Sequence, residues 1–277
     1  MAVKCIALDL DRTTLNKEGR LSEGNRKALE EVIAAGIHVV IASGRAFDTL
    51  PQDILSVAGI EYAITGNGAA MYHLPTGKCL KRYRLSKQAV EAIMNATKAE
   101  DITYEAFIDG VAYADKVYLE DPQRFEATPQ AVEYVKSTRH MQDNIVQFIE
   151  EHKDCLDCMD IIVKDEDRKR RVWKLVQEAT NEVYITSSIQ QLVEIANRNA
   201  GKKSGLAFFA DLLGISPEET AAFGDADNDV DMLQYAGCGI AVENASDNCK
   251  AAADYITKHH DEDGLAYGIR HILKLIK

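Results

Sequence analysis

Two aspartates stand two residues apart where an apolar run stops, in Val3-Lys4-Cys5-Ile6-Ala7-Leu8-Asp9-Leu10-Asp11-Arg12-Thr13. Residues two apart on a strand share a side, so Asp9 and Asp11 are delivered to one small volume at a sheet edge. Like charges that close repel, and the pair calls for a cation, a proton or both. Ligands of open α/β sheets bind at the carboxyl ends of the strands, where this pair falls. Taken alone it also fits a solvated strand end, because Asp is common in turns.

Three later segments carry further candidates. Ser43-Gly44-Arg45 directly follows the apolar run 37–42. A hydroxyl there, with backbone N–H groups at the next helix start, can donate to a phosphate oxygen; the same Ser also suits a helix cap. Lys202, in Gly201-Lys202-Lys203-Ser204, stands just before a helical pattern, although most lysines are solvent-facing. Gly224-Asp225-Ala226-Asp227-Asn228-Asp229 follows the run 220–223 and packs three carboxylates and an amide into a short loop. A polar turn capping a helix is the plain alternative. A calcium loop fits poorly, because its interior Gly and distal Glu are missing.

The elements needed to position these groups are legible at both ends of the chain. Strands are predicted at 3–10, 37–42, 62–65, 220–223 and 239–242. Helices are predicted over 22–36, near 47–57, over 206–213 and 228–236, and closing the chain over 264–276. Ser22 is a candidate cap, and Ser216-Pro217-Glu218-Glu219 has the form of a capping box. This alternation implies a parallel sheet with helices on both faces. Between 83 and 193 the pattern changes to helix 86–100, β-rich 102–108 and 111–114, a polar stretch 121–130, helix 144–151, strand 159–163, helix 167–180 and strands 182–187 and 191–196. The expectation is an α/β fold: a Rossmann-like core of residues 1–82 and 194–277, with an α+β unit, 83–193, inserted.

A formal net charge of -12 argues against a general nucleic-acid or anionic-membrane binder. No stretch reads as a membrane span, and Met1-Ala2-Val3-Lys4 leaves no room for a signal peptide before the first strand. The scattered cysteines fit a reducing cytoplasm. Cys155 and Cys158 have C-x-x-C spacing, but no second Cys or His pair follows at zinc-finger spacing.

Taken together, D-x-D-x-T, S-G-R, the lysine, G-D-x-x-N-D, Asn244-Ala245 and Glu262-Asp263-Gly264 form an ordered set. The chain resembles, over nearly its whole length, the haloacid dehalogenase-like hydrolases, and among them the Cof-type phosphatases with an inserted α/β (C2B) cap. The resemblance implies that Asp9 attacks phosphorus and that Asp11 serves as acid and then base. It implies Mg2+ held by Asp9, the backbone carbonyl of Asp11 and Asp225. It assigns Ser43, Gly44, Lys202 and Asn228 to the phosphate, and Asp229 to orienting Lys202 or supporting the metal. The substrate would be a small phosphorylated metabolite, with sugar phosphates foremost. Specificity would come from the cap, where Tyr104, Glu105, Tyr113, Arg124 and Arg139 are candidates. A phosphomutase or a non-catalytic phosphometabolite sensor are the alternatives. Two departures stand out: Arg12 and Thr14 replace a frequent Gly and Leu, and Lys203 replaces a frequent Gly. Oligomeric state is not readable.

Overall fold

The computed structural model describes residues 3–126 and 129–276, and the chain divides into two compact units. The first comprises residues 1–44, 50–81 and 201–277. Its strands are β1 (Cys5–Leu8), β2 (His38–Ala42), β3 (Tyr62–Thr65), β4 (Ala70–His73), β5 (Lys78–Arg82), β12 (Thr220–Gly224), β13 (Cys238–Ala241) and β14 (Tyr255–Ile256). They form one sheet in the order β14-β13-β12-β1-β2-β3-β4-β5, parallel from β14 to β3. The expected parallel sheet gives way at β4, which runs antiparallel to β3. The turn Gly66–Gly68 joins them, and so short a link permits only a reversal, not a crossover.

Strand β1 lies in the middle and all four of its residues are fully buried, which explains its unbroken apolar run. Helix Glu23–Ala34 is capped by Ser22, whose hydroxyl accepts the amide of Asn25. Helix Lys202–Leu213 ends on Gly214 in the left-handed conformation, as expected of a C-terminal Gly. The predicted helix at 47–57 is instead a turn, Phe47–Thr49, and a short helix, Gln52–Leu55, separated at Pro51, whose extended backbone breaks the run. The closing helix is also shorter than expected: Gly264–Tyr267 continues as a wider turn, Gly268–Ile272.

The second unit comprises residues 45–49 and 82–200. Its strands are β6 (Thr103–Ile108), β7 (Val111–Asp115), β8 (His140–Gln142), β9 (Cys158–Ile162), β10 (Val183–Thr186) and β11 (Leu192–Asn197), in the order β10-β11-β9-β6-β7-β8. The division falls after Ala200 rather than after Val193, because β11 pairs along its length with β9 and β10. One face packs on helices Lys87–Thr97, Ile145–His152 and Glu166–Ala179 through Ile93, Ile149, Ile161 and Val172, among others. Tyr104 and Tyr113 belong to this core, and the Tyr104 hydroxyl lies 2.6 Å from that of Thr97. The polar stretch 121–130 falls partly outside the described residues, and Pro129–Thr138 is a helix that composition alone does not announce. The six cysteines are free thiols, and Cys155 donates to the carbonyl of His152.

On the opposite face, Glu105, Asp160 and Glu194 stand in register across β6, β9 and β11. Arg139 pairs with Glu105 at 2.8 Å. Asp160 accepts no hydrogen bond among the described residues. Burial, then the charges of Glu194 and Glu105, push its carboxyl well above the usual range, against the pull of Arg139. A carboxyl raised in the folded state loses stability as pH climbs from the ordinary carboxylate range through its native value. Asp160→Asn removes that loss. The variant is therefore expected to gain on the order of 1 kcal/mol at pH 8, and less at pH 5. Thermal melts at the two pH values check it; an equal or reversed gain would show that the carboxyl titrates normally.

Candidate active site

The register of the first sheet brings the motifs to one edge. Leu8 lies opposite Ile41 on one side and Phe223 on the other. Asp9, Ser43 and Asp225 therefore leave three neighbouring parallel strands one or two residues past that row. The amide of Asp9 still donates to the carbonyl of Phe223 at 3.0 Å. The chain then leaves the sheet in a wide turn, Leu10–Thr14, closed by the amide of Leu15 on the carbonyl of Leu10 at 2.8 Å. The hydroxyl of Thr14 fastens it by donating to the carbonyl of Asp9 at 2.6 Å.

Because the strand stops at Leu8 rather than Leu10, the two carboxylates meet different surroundings: Asp9 is buried and Asp11 exposed. Arg12 has φ 60° and ψ 11°. This left-handed conformation costs a residue with a Cβ roughly 1–2 kcal/mol, and it falls at the position where the resemblance expects Gly. Its Nε lies 3.8 Å from Asp225 Oδ2.

Lys202 is fully buried at the first position of helix Lys202–Leu213. Its Nζ lies 2.6 Å from Asp9 Oδ1 and 2.6 Å from Asp229 Oδ1. The other oxygen of Asp229 accepts the amides of Asp225 at 3.0 Å and Ala226 at 3.1 Å. Both oxygens of Asp229 are thus committed, one to the lysine and one to the turn that presents Asp225. Asp225 Oδ1 accepts from the Thr13 hydroxyl at 3.2 Å. Gly224 permits the close fold of this loop, since a Cβ there would sit 2.5 Å from that of Asp229. Asp227 is exposed and accepts from Ser246 at 2.9 Å, and Lys203 is exposed as well.

Ser43 is buried and Gly44 half-buried. Asn67 connects them to the rest. Its amide donates to the carbonyl of Ser43 at 3.1 Å, and its carbonyl accepts the amide of Gly201 at 2.9 Å. Its side-chain oxygen accepts from Asn228 Nδ2 at 3.0 Å. Sequence reading missed Asn67. The available signal was Gly66-Asn67-Gly68 after a predicted strand: Asn67 has φ 51°, a conformation Asn tolerates better than most residues, and a Cβ on Gly68 would strike the carbonyl of Gly201.

Three carboxylates, Asp9, Asp225 and Asp229, bring ligand atoms within 4.8 Å of one another, against one buried lysine. Burial raises Asp9 well above the usual carboxylate range; the charges of Asp229 and Asp225 add to the rise and Lys202 opposes it. Burial, then Asp229, pushes Asp225 up to about 7, with Arg12 and Lys202 pulling the other way. Burial works against the charge of Lys202, but Asp229 and Asp9 more than restore it and raise its pKa. The cluster is short of positive charge. Its remaining donors are hard oxygens on Asp9 and Asp225, which suit a divalent cation such as Mg2+. Asn228 Oδ1 is buried without a partner among the described residues, leaving one more polar atom for a ligand or water.

Residues 6–269 match the model of the haloacid dehalogenase-like hydrolases. This chain belongs to that family. Like its Cof-type members, it is a phosphatase. It is 32% identical to the phosphatase YwpJ of Bacillus subtilis (strain 168), across 98% of this chain and 100% of that one. It is 30% identical to the 5-amino-6-(5-phospho-D-ribitylamino)uracil phosphatase YwtE of the same organism, across 98% of each. A solved haloacid dehalogenase-like hydrolase from B. subtilis superposes with a TM-score of 0.84 at 30% identity, covering 98% of this chain and all of that one. Among the described residues no helix is long and apolar enough to cross a membrane.

Proposed function

We propose that this phosphatase is Mg2+-dependent and hydrolyses phosphate monoesters of small metabolites through an aspartyl-phosphate on Asp9. The observation that carries this reading is the buried Asp9–Lys202–Asp229 arrangement at the carboxyl edge of β1. Lys202 holds one oxygen of Asp9, which leaves the other to form a bond to phosphorus. As the Asp9–phosphorus bond forms, the ester P–O bond breaks, and the leaving alkoxide takes a proton from Asp11. Asp11 then takes a proton from the water that attacks the phosphoryl group. The P–O bond to Asp9 breaks, freeing inorganic phosphate and restoring Asp9 as the carboxylate and Asp11 as the acid. Asp9, the carbonyl of Asp11 and Asp225 would hold the magnesium ion, which supplies charge neutralisation of the phosphoryl oxygens. Ser43, Gly44 and Lys202 bind the non-transferred oxygens, and Asn228, braced by Asn67, bounds that pocket. Asp229 acts by holding Lys202.

The named activity of YwtE puts 5-amino-6-(5-phospho-D-ribitylamino)uracil first among substrates to try, with sugar phosphates beside it. The free cysteines support a reducing cytoplasm as the setting. The test is release of inorganic phosphate across a metabolite panel, with Mg2+ and with chelator. Release that survives thorough chelation overturns the metal assignment, and transfer back to substrate without net release identifies a mutase.

Two outcomes follow from the charges around Asp225. A cation must displace its proton, so the half-saturating Mg2+ concentration is expected to climb as pH falls below about 7. Mg2+ should raise the melting temperature more at pH 8 than at pH 5.5; calorimetry at both values measures this. Arg12→Gly removes a positive charge facing Asp225 and suits the left-handed backbone. The guanidinium is half exposed, so half-saturating Mg2+ should fall only about two- to fivefold. Magnesium titrations of the two proteins side by side read the difference.

A further inference from the structure

We propose that His259, His260 and Asp261 form a second metal site, one for a borderline transition ion such as Zn2+. They offer two imidazole nitrogens and a carboxylate oxygen within 4.8 Å of one another. Asp261 Oδ2 lies 3.9 Å from His259 Nδ1 and 3.9 Å from His260 Nε2. Ligands of a tetrahedral zinc stand roughly 3.4 Å apart, given its bond lengths of about 2.1 Å, so each imidazole nitrogen needs to close on Asp261 Oδ2 by only about half an ångström.

Two of the donors are already oriented by what their other atom does. His260 Nδ1 lies 2.8 Å from the carbonyl of Leu15. A carbonyl only accepts, so Nδ1 carries a proton, and in the neutral ring Nε2 keeps the lone pair. A backbone carbonyl fixing the tautomer in this way is the usual support of a metal-bound histidine. Asp261 Oδ1 accepts the amide of Lys17 at 2.8 Å, which turns Oδ2 towards the two rings. That hydrogen bond, above all, keeps the carboxyl below its usual range. His259 Nδ1 carries a lone pair, since it accepts the amide of Asp261 at 3.2 Å, and an ion must take that lone pair over from the amide. His260 is buried while His259 and Asp261 keep an open side. This leaves a fourth position for water.

Two imidazoles and one carboxylate select zinc-like ions over Mg2+, which prefers oxygen throughout. The site thus differs in chemistry from the all-oxygen cluster of Asp9 and Asp225. The ion would also tie Leu15 and Lys17, just beyond the Leu10–Thr14 turn, to the segment before Gly264.

The experiment is a Zn2+ titration of the whole chain against a chromophoric chelator, with Mg2+ in excess, repeated with His259→Ala, His260→Gln and Asp225→Ala. The expected result is one zinc per chain, with affinity lowered about tenfold or more in both histidine variants and kept within about twofold in Asp225→Ala. Co2+ in place of Zn2+ should give the visible absorption of a four-coordinate site in the parent and not in His259→Ala. Zinc binding that survives both histidine substitutions but is lost in Asp225→Ala overturns the proposal, as does stoichiometry near zero. His259 is partly exposed, so its variant answers the question even if His260→Gln folds poorly.

Discussion

Asn in place of Asp9 should abolish phosphate release, by about 10³-fold or more, while the protein stays folded. An amide oxygen does not displace an alkoxide from phosphorus, and no other carboxylate occupies its position. Asp11 is exposed in the Leu10–Thr14 turn, and Asp225 and Asp229 are committed to Thr13, Lys202 and the 225–226 amides. Asp9 is a buried carboxylate whose charged form burial disfavours, so removing that charge relieves desolvation even as it takes one partner from Lys202. Asp229 still holds the ammonium at 2.6 Å. The melting temperature should therefore move by no more than a few degrees. Steady-state phosphate release beside a thermal melt separates the two effects. More than a tenth of the parent activity in a well-folded Asp9→Asn protein would move the nucleophile elsewhere.

The convergence behind this prediction was legible before the fold was known. Asp9, Ser43 and Asp225 each follow an apolar run, and in a parallel sheet the ends of successive strands share an edge. Lys202 was legible for a similar reason, as a lysine directly ahead of a helix in the second half of the core. The parts that escaped depend on partners far away in sequence. Gly66-Asn67-Gly68 reads as an ordinary turn. Only contact with Asn228, 161 residues on, and with Gly201 gives Asn67 its bracing place. The hairpin of β4 and β5 escaped because its turn residues and short strands carry no long apolar run. The end of the second unit is not legible in sequence because β11 has the same apolar character whichever sheet it joins; pairing with β9 decides it. Arg12 shows how a local departure gains meaning from conformation: a left-handed backbone explains why Gly suits that position, and the approach to Asp225 shows what the guanidinium does there.

Lys202→Met is expected to cost both activity and stability, and the stability loss should depend on pH. The methionine fills much of the same volume, so the lost interaction is the charge. Removing one member of a buried ion pair leaves its partners uncompensated, at about 3–5 kcal/mol. Here Asp9 and Asp229 are left facing each other, with Asp225 nearby. Without the ammonium, the charges that already raise Asp9 and Asp225 act unopposed at this point, so the folded variant takes up protons that the unfolded chain releases. Its stability must then fall as pH rises from the ordinary carboxylate range through the raised native values. In the parent the lysine's own raised pKa gives a dependence of the same sign in a different window: it contributes stability that persists through neutral pH and is lost only in strong base. The deficit of Lys202→Met should thus be largest near pH 8 and shrink towards pH 5. Mg2+ should recover part of it by replacing some of the missing positive charge. Denaturant unfolding at pH 5 and pH 8, with and without Mg2+, measures each term. A deficit independent of pH would mean that Lys202 stabilises the fold by packing alone and that its two contacts with the carboxylates contribute little.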